Sequence, residues 1–159
     1  PYKVKFIEEN KPLGTAGSLS KIDKKFKGTL FVSNCDIVIN TDYRAIHNFH
    51  MSGNYHLTLI ASMRNYKIPY GICKLDNIGK LKNIDEKPEF DFLVNTGVYV
   101  LESAILKLIP KDNYFDMTDL ITKVKEKGLR VGVFPVSEES WYDVGQLSEY
   151  NKNVDKINF

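Results

Sequence analysis

Asp36 is the residue of this 159-residue chain whose position points most directly to chemistry. It follows the apolar run Thr29–Ser33, whose lack of alternation is typical of a strand covered on both faces. In open α/β sheets, ligands bind beyond the carboxyl ends of the strands. A carboxylate there can bind Mg²⁺, which takes one or two carboxylates and fills its other positions with phosphates and water. The alternative is an aspartate that turns the chain or caps a helix.

Asp143 is the second carboxylate in an unusual place. It lies in the segment Trp-Tyr-Asp-Val-Gly at 141–145, between aromatic residues and a glycine. A helix is predicted to follow at 146–157. The segment therefore predicts either a functional carboxylate or an N-cap beside a packing tryptophan.

The segment Pro-Leu-Gly-Thr-Ala-Gly at 12–17 places two glycines where a predicted turn meets a predicted helix at 16–22. Such a place offers unpaired backbone N–H groups and lets a ligand come close to the main chain. The alternative is an ordinary helix entry, with Thr15 as the cap.

A third group of segments could contact a sugar phosphate. Gly71 opens a predicted strand, which lets a bulky ligand pack on the backbone. Glu86 and Lys87 provide one acceptor and one cation at the end of a predicted strand, a combination that suits sugar hydroxyls and a phosphate. An exposed charge pair is the alternative.

Strands and helices must position these residues. Alternation, turn residues and caps predict strands at 2–7, 29–33, 55–62, 70–75, 81–84, 94–101 and 129–136. They predict a helix at 16–22, a helix that starts at Thr41 or Asp42 and ends at Gly53, a helix that starts at Asp116 or Thr118 and ends at Gly128, and a helix at 146–157. Strands that alternate with helices predict an α/β layered fold with a mostly parallel sheet, to which the hairpin at 70–84 adds antiparallel pairing.

Composition and charge restrict the classes of partner that the sequence predicts. The hydrophobic share of 43% and charged share of 26% are typical of one soluble domain. The net charge of +2, with lysines spread among acidic residues, predicts no nucleic-acid partner, and no apolar run is long enough for a membrane span. Cys35 and Cys73 form no metal-type pair, and we interpret them as reduced core or near-core residues of a cytoplasmic protein. His47 and His50 share a predicted helix face but have no third ligand nearby.

Taken in order, the segments resemble the sugar-1-phosphate nucleotidyltransferase family, of the mannose-1-phosphate guanylyltransferase or glucose-1-phosphate thymidylyltransferase type. The family pattern reads E-x-x-P-L-G-T-A-G, N-x-D after a strand, Y-G, E-K-P, N-T-G-x-Y, F-D-M and W-x-D-[IV]-G. All seven occur here in that order, from Glu9 to Gly145. Cys35 replaces the glycine of the frequent N-G-D form. The family's glycine-rich triphosphate loop is not in this sequence.

The resemblance implies a three-layer α/β/α, Rossmann-like (GT-A-like) fold with a mixed, mostly parallel sheet that is incomplete at the N-terminus. Residues 1–159 would form the C-terminal two-thirds of a single nucleotidyltransferase domain. Such enzymes transfer NMP from an NTP to a sugar 1-phosphate and release pyrophosphate. They belong to nucleotide-sugar and polysaccharide biosynthesis, and they often form homo-oligomers. The Lys, Asn and Ile content is typical of an AT-rich bacterial genome.

The resemblance also implies roles for individual residues. The metal ligands for Mg²⁺ would be Asp36 and Asp143, and the catalytic set would be Asp36, Asp143 and Lys87, the last on the sugar phosphate. Nucleotide contacts would come from Leu13, Gly14, Thr15 and Gly17, with Thr15 also at the base or ribose. Sugar contacts would come from Gly71, Glu86, Lys87, Asn95 and Thr96. The substrates would be GTP, dTTP or UTP and a sugar 1-phosphate, with the P-L-G-T-A-G form favouring guanylyl transfer.

Two other readings stay open at this point. A GT-A glycosyltransferase has a similar architecture but usually carries a D-x-D metal pair, where this chain has Asn34, Cys35 and Asp36. A non-catalytic nucleotide- or sugar-binding domain of the same fold is the other alternative. The intact pair Asp36 and Asp143 argues against it, whereas the missing triphosphate loop argues for caution. We expect this chain alone to be weakly active or inactive.

Overall fold

Strands and helices alternate along the chain in the computed structural model, which describes residues 2–145. The strands are β1 (Thr29–Ser33), β2 (Ile37–Ile39), β3 (Leu57–Lys67), β4 (Ile72–Leu75), β5 (Leu81–Asp85), β6 (Glu89–Glu102), β7 (Val131–Val136) and β8 (Trp141–Asp143). The helices are α1 (Gly14–Gly17), α2 (Tyr43–Ser52) and α3 (Met117–Glu126), with 3₁₀ segments at Ser18–Lys21, Ser103–Leu108 and Glu138–Ser140. The predicted helix at 146–157 lies outside the described residues.

The main sheet has four strands in the order β1-β6-β3-β7. β6 pairs antiparallel with both β1 and β3, whereas β3 and β7 are parallel. Two small ladders, β2 with β8 and β4 with β5, complete the strand pairing of residues 2–145. None of the helices in this range is long and apolar enough to cross a membrane.

The predicted α/β class with a mixed sheet is confirmed, but the prediction of mostly parallel pairing is wrong for the described strands. β1, β3 and β7 do run in one direction, as the alternation with helices predicts. β6 lies between β1 and β3 and runs the other way. It does so because the chain leaves β3, forms the β4–β5 hairpin and returns beside β3 without a helical crossover.

Apolar residues cover both faces of the main sheet, as the three-layer prediction requires. On β6, Tyr99 and Leu101 face a core shared with α1, α3 and the segment Ser103–Leu108. Val98 and Val100 face the opposite core, which includes Ile46 of α2. The alternation of side chains along one strand therefore divides the interior into two layers.

Helix boundaries follow the predicted caps. The Asp42 carboxylate accepts a hydrogen bond from the N–H of Arg44 at the start of α2, and Gly53 follows its last turn. Asp116 and Asp119 form a reciprocal capping box at the start of α3.

Two further sequence predictions are wrong. Residues 2–7 form no strand, and Tyr2 and Phe6 are about nine-tenths exposed. Alternation alone does not make a strand, because the backbone also needs a partner for its hydrogen bonds, and none of the described strands pairs with this segment. Cys35 and Cys73 are free thiols, but both are exposed rather than in the core.

His50 is a fully buried titratable residue on α2. Its Nδ1 lies 2.8 Å from Thr58 Oγ1, and its Nε2 lies 3.2 Å from Glu102 Oε1. Burial lowers the pKa of His50 from 6.5 despite the opposing influence of the Glu102 carboxylate. The neutral imidazole is therefore the form that fits the folded protein.

We expect stability to fall on acidification because of His50. A histidine whose pKa is lowered on folding binds more protons when unfolded, so its contribution is complete above pH 6.5 and declines as the pH falls through the folded-state pKa. One such group changes the free energy of unfolding by at most about 1.4 kcal/mol per pH unit. Urea unfolding between pH 5 and 7.5 should show this slope in the wild type and a shallower one in His50→Gln. Equal slopes would contradict the assignment.

Candidate functional site

The two candidate metal-ligating aspartates flank the short β2–β8 ladder. Ile37 is paired with Asp143 in this ladder, and the N–H of Val144 donates to the carbonyl of Asp36 at 2.9 Å. Asp36 directly precedes β2, and Asp143 ends β8. A β2 strand of three residues is too short for the sequence pattern to reveal, yet it brings the two aspartates together.

The two carboxylates converge on one point next to Gly145. A Cβ atom placed on Gly145 would overlap Oδ2 of Asp36 and lie 3.3 Å from Oδ1 of Asp143. The Asp143 carboxylate also accepts a hydrogen bond from the N–H of Gly145 at 3.1 Å. Both aspartates are partly exposed. The absence of a side chain at 145 therefore lets both carboxylates come close to the backbone of this glycine and to each other.

Arg64 of β3 contacts Trp141, the first residue of β8. The Arg64 guanidinium lies 4.7 Å from the centre of the Trp141 ring and forms an ion pair with Glu138. A guanidinium stacked on an aromatic face is attracted by the negative potential of the ring. Trp141 is two residues before Asp143, so this contact helps to hold the strand that carries the carboxylate. Sequence reasoning missed Arg64, because nothing in its local sequence relates it to residue 141.

The N-x-D and N-T-G segments lie against each other. The N–H of Asn34 donates to the carbonyl of Gly97 at 3.1 Å. Gly97 has φ +83°, and a Cβ atom there would lie 2.8 Å from Nδ2 of Asn34. Glycine is thus needed at 97 both for its backbone conformation and for the close approach of the asparagine.

Asn95 and Thr96, two predicted sugar contacts, differ in accessibility. Asn95 is exposed; its Nδ2 donates to the Tyr99 hydroxyl at 2.7 Å, and its Oδ1 accepts from the N–H of Gly97. The Thr96 side chain is buried, and its hydroxyl donates to the carbonyl of Ile60 at 2.8 Å. The Thr96 side chain therefore ties β6 to β3 and does not face solvent.

The structure brings the predicted sugar-binding residues Gly71 and Glu86 together. A Cβ atom on Gly71 would lie 2.8 Å from Oε2 of Glu86. Lys87 is exposed and has φ +44°, a left-handed conformation that costs free energy in a residue other than glycine. The strain lies at the residue that the sequence assigns to the sugar phosphate, and such strain is often found at functional sites.

The Leu-Gly-Thr-Ala-Gly turn is docked onto the Phe-Asp-Met segment at 115–117. Backbone hydrogen bonds join Leu13 to Phe115 and Phe115 to Ala16, at 2.9 and 3.0 Å. Leu13 and Gly17 are buried, while Thr15 is exposed. A Cβ atom on Gly17 would lie 2.9 Å from the carbonyl oxygen of Asn113. The glycines therefore permit close packing of the turn, and any ligand would reach it at Thr15 and the backbone around it.

Asp116 holds this turn and was not among the predicted site residues. Its Oδ1 accepts from both the N–H and the hydroxyl of Thr15, at 3.0 and 3.2 Å. The N–H of Met117 donates back to the Thr15 hydroxyl at 2.8 Å. The backbone hydrogen bond from Thr15 holds the pKa of Asp116 below its usual value, and the Tyr114 hydroxyl acts in the same direction. The F-D-M motif in the sequence could have drawn attention to Asp116, but the motif does not reveal that Asp116 contacts Thr15.

The side chains near Asp36 and Asp143 can be compared with the ligands that a Mg²⁺ ion takes. Within residues 2–145, no group of three or more His, Cys, Asp or Glu side chains could hold a metal ion. Two carboxylates near one point fit a cation that takes the rest of its ligands from phosphates and water. They do not fit a structural zinc site, which needs four protein ligands.

Comparisons with known proteins agree with the ordered motifs. A profile of the family described as nucleotidyl transferase matches residues 2–158. A UTP–glucose-1-phosphate uridylyltransferase of Synechocystis is 29% identical over 150 residues, which cover 88% of this chain and 38% of that protein. A mannose-1-phosphate guanyltransferase 2 of Candida glabrata is 32% identical over 157 residues, which cover 92% of this chain and 42% of that protein. The chain thus spans well under half the length of these relatives.

Solved structures share the fold. HddC from Yersinia pseudotuberculosis complexed with GMP-PN superposes with a TM-score of 0.69 at 22% identity, covering 98% of this chain and 68% of that chain. A putative glucose-1-phosphate thymidylyltransferase from Bacillus anthracis, in complex with a sucrose, superposes with a TM-score of 0.64 at 19% identity, covering 95% and 65%.

Proposed function

This chain belongs to the nucleotidyl transferase family. We therefore propose that it supplies the residues that bind the metal ion and the sugar 1-phosphate in an enzyme that makes a nucleotide-sugar from an NTP and a sugar 1-phosphate. The observation that carries the proposal is the convergence of Asp36 and Asp143 beside Gly145. These two residues are 107 positions apart in sequence, and each belongs to a motif that resembles the family pattern.

Asp36 and Asp143 would hold a Mg²⁺ ion. When bound, the ion would neutralise charge on the phosphates of the NTP. Without a cation, two carboxylates that face one point repel each other, so the pair is better explained as an ion site than as a structural contact. The remaining work falls to positioning, because phosphoryl-type transfer needs little covalent chemistry from the protein.

In the proposed reaction, an oxygen of the sugar 1-phosphate attacks the α-phosphorus of the NTP. The new bond joins that oxygen to the α-phosphorus, the bond from the α-phosphorus to the β-phosphate oxygen breaks, and pyrophosphate leaves with its electron pair. Lys87 would hold the sugar phosphate as a point charge. Glu86 and Asn95 would accept or donate hydrogen bonds to sugar hydroxyls, and Gly71 would leave room for the ring.

The nucleotide would approach the turn at 13–17. Its accessible groups are the Thr15 side chain and the backbone around Gly14, since Leu13 and Gly17 are buried. We favour GTP over dTTP and UTP from the P-L-G-T-A-G form of the turn. One relative is named for uridylyl transfer and another for guanylyl transfer, and both activities belong to the proposed reaction class. The base of the NTP must therefore be identified by experiment.

A pyrophosphate-release screen of the complete gene product across GTP, dTTP and UTP with several sugar 1-phosphates tests this proposal. Pyrophosphate that appears only when both substrates are present supports it. Release of free nucleoside diphosphate from a nucleotide-sugar would instead indicate a glycosyltransferase. Binding without turnover in every combination would indicate a non-catalytic domain.

Asp116 provides a prediction about the nucleotide turn. Asp116→Ala removes the acceptor for both Thr15 groups, and we expect the KM for the NTP to rise severalfold with a smaller change in the KM for the sugar phosphate. Asp119→Ala is the matched control, because it removes the other half of the capping box and leaves the Thr15 contacts in place. Both variants should lower the melting temperature. Equal nucleotide KM values in the two variants would contradict a role for the Thr15 contact.

A further inference from the structure

A cavity of about 450 Å³ lies away from every residue assigned above. Its walls are the segment 19–27, which precedes β1, and the segment 103–111, which follows β6. Its volume is within the range of small-molecule sites, roughly 300–1,000 Å³. A second hollow of about 350 Å³ adjoins it and shares Ser20 and Lys111.

The length of β1 separates this cavity from the carboxylate pair. Thr29, at the start of β1, is paired with Glu102, and Ser33, at the other end, is paired with Val98. The cavity walls adjoin the Thr29 end, whereas Asp36 lies beyond the Ser33 end. A strand of five residues spans roughly 17 Å, so one small molecule in the cavity cannot also contact the carboxylates.

The inner wall of the cavity is apolar. Leu19, Leu106 and Ile109 line it, and they also belong to or pack on the core between the sheet and α3. Phe26 also lines the cavity and is 37% exposed. An apolar floor next to an exposed aromatic ring can cover the non-polar part of a ligand.

Positively charged side chains line the cavity from both walls. Lys24 and Lys27 come from one wall, and Lys107 and Lys111 come from the other. These four lysines form no ion pair with any described residue. Among residues 2–145, Asp23 is the one carboxylate that lines this cavity, and it accepts a hydrogen bond from the N–H of Lys25; Asp112 lines the adjoining hollow. Cations from two facing walls repel each other, and an anion between them would remove that repulsion.

An unsatisfied hydroxyl adds a second indication. The Ser20 hydroxyl oxygen is buried and has no hydrogen-bond partner within residues 2–145. Ser20 lines both hollows. Buried polar atoms normally have partners, so a ligand acceptor at this position would complete the site.

We propose that this cavity binds a small phosphorylated molecule that also carries an apolar or aromatic group. The phosphate would lie among the lysines and accept from Ser20, and the apolar group would cover Leu19 and Phe26. The proposal stands independently of the reaction at the carboxylate site, since it concerns binding at the opposite end of β1.

Titration of the ¹⁵N-labelled full chain with phenyl phosphate tests the proposal, with amide shifts followed by two-dimensional NMR. We expect saturable shifts concentrated in residues 19–27 and 103–111, and binding at least about tenfold tighter than that of inorganic phosphate, because the ring buries apolar surface. The double variant Lys107→Gln with Lys111→Gln should weaken binding about tenfold, and Ser20→Ala should weaken it severalfold.

Lys80→Gln with Lys82→Gln is the matched control, since it removes the same charge from the exposed β4–β5 hairpin. Its affinity should equal that of the wild type. Absence of saturable binding, equal losses in the control and the cavity variant, or shifts centred on Lys87 would each overturn the proposal. Because all these lysines are exposed, loss of folding in the variants is not expected.

Discussion

Replacing Asp36 with alanine is expected to lower the turnover of the complete enzyme by at least about two to three orders of magnitude, the scale for removal of one electrostatic stabiliser. The physical reason is that the Asp36 and Asp143 carboxylates lie close together beside Gly145. With one of them gone, an ion keeps a single protein ligand and binds more weakly. Pyrophosphate release measured at increasing Mg²⁺ concentration checks this.

The Mg²⁺ series separates a metal role from a structural one. If Asp36 holds the ion, high Mg²⁺ should restore part of the rate in Asp36→Ala, and a simple loss of fold would not respond in this way. Asp91→Ala is the control, because Asp91 is an exposed carboxylate that accepts a hydrogen bond from the Asn65 amide on the β3–β6 pair. Turnover within about threefold of wild type in Asp36→Ala would remove this residue from the metal site.

Replacing Lys87 should separate activity from stability. A charge-assisted hydrogen bond contributes about 1.5–3 kcal/mol, so Lys87→Ala and Lys87→Gly should each lower kcat/KM for the sugar 1-phosphate by roughly 10- to 150-fold. The nucleotide KM should change little. Retention of both turnover and sugar-phosphate affinity would show that Lys87 does not bind the phosphate.

The glycine variant adds a thermodynamic test. Lys87 has φ +44°, and relief of that conformation should gain about 1–2 kcal/mol. The greater freedom of glycine in the unfolded chain costs about 0.4–1 kcal/mol, which is less. Lys87→Gly should therefore be at least as stable as the wild type in urea unfolding while it is impaired in catalysis. A clearly destabilised glycine variant would mean that the positive φ is not strained.

Local signals predicted much of the fold. α2 and α3 begin at the predicted aspartate caps, and the β4–β5 hairpin lies where the turn residues place it. These features depend on interactions between residues close in sequence. The antiparallel course of β6 could not be predicted in this way, because it depends on which strand it joins after the hairpin.

The same distinction between local and long-range interactions applies to the candidate site. Motif order was enough to select Asp36 and Asp143, and the structure places them together. The contact of Thr15 with Asp116 and the contact of Arg64 with Trp141 join residues far apart in the chain, and no periodicity or cap reveals such pairs. Motif membership also does not reveal burial: Thr96 belongs to the same motif as Asn95, but its side chain is buried and its hydroxyl donates to the carbonyl of Ile60.

The β2–β8 ladder has only three residues in each strand and, within residues 2–145, no pairing with the main sheet. Such a ladder should open by local unfolding at a lower free energy than the four-stranded sheet. An ion held by both carboxylates binds only the closed ladder, so its apparent affinity includes the equilibrium between open and closed forms. Ion binding would then slow the hydrogen exchange of the Asn40 and Val144 amides, which donate across the two ends of this ladder.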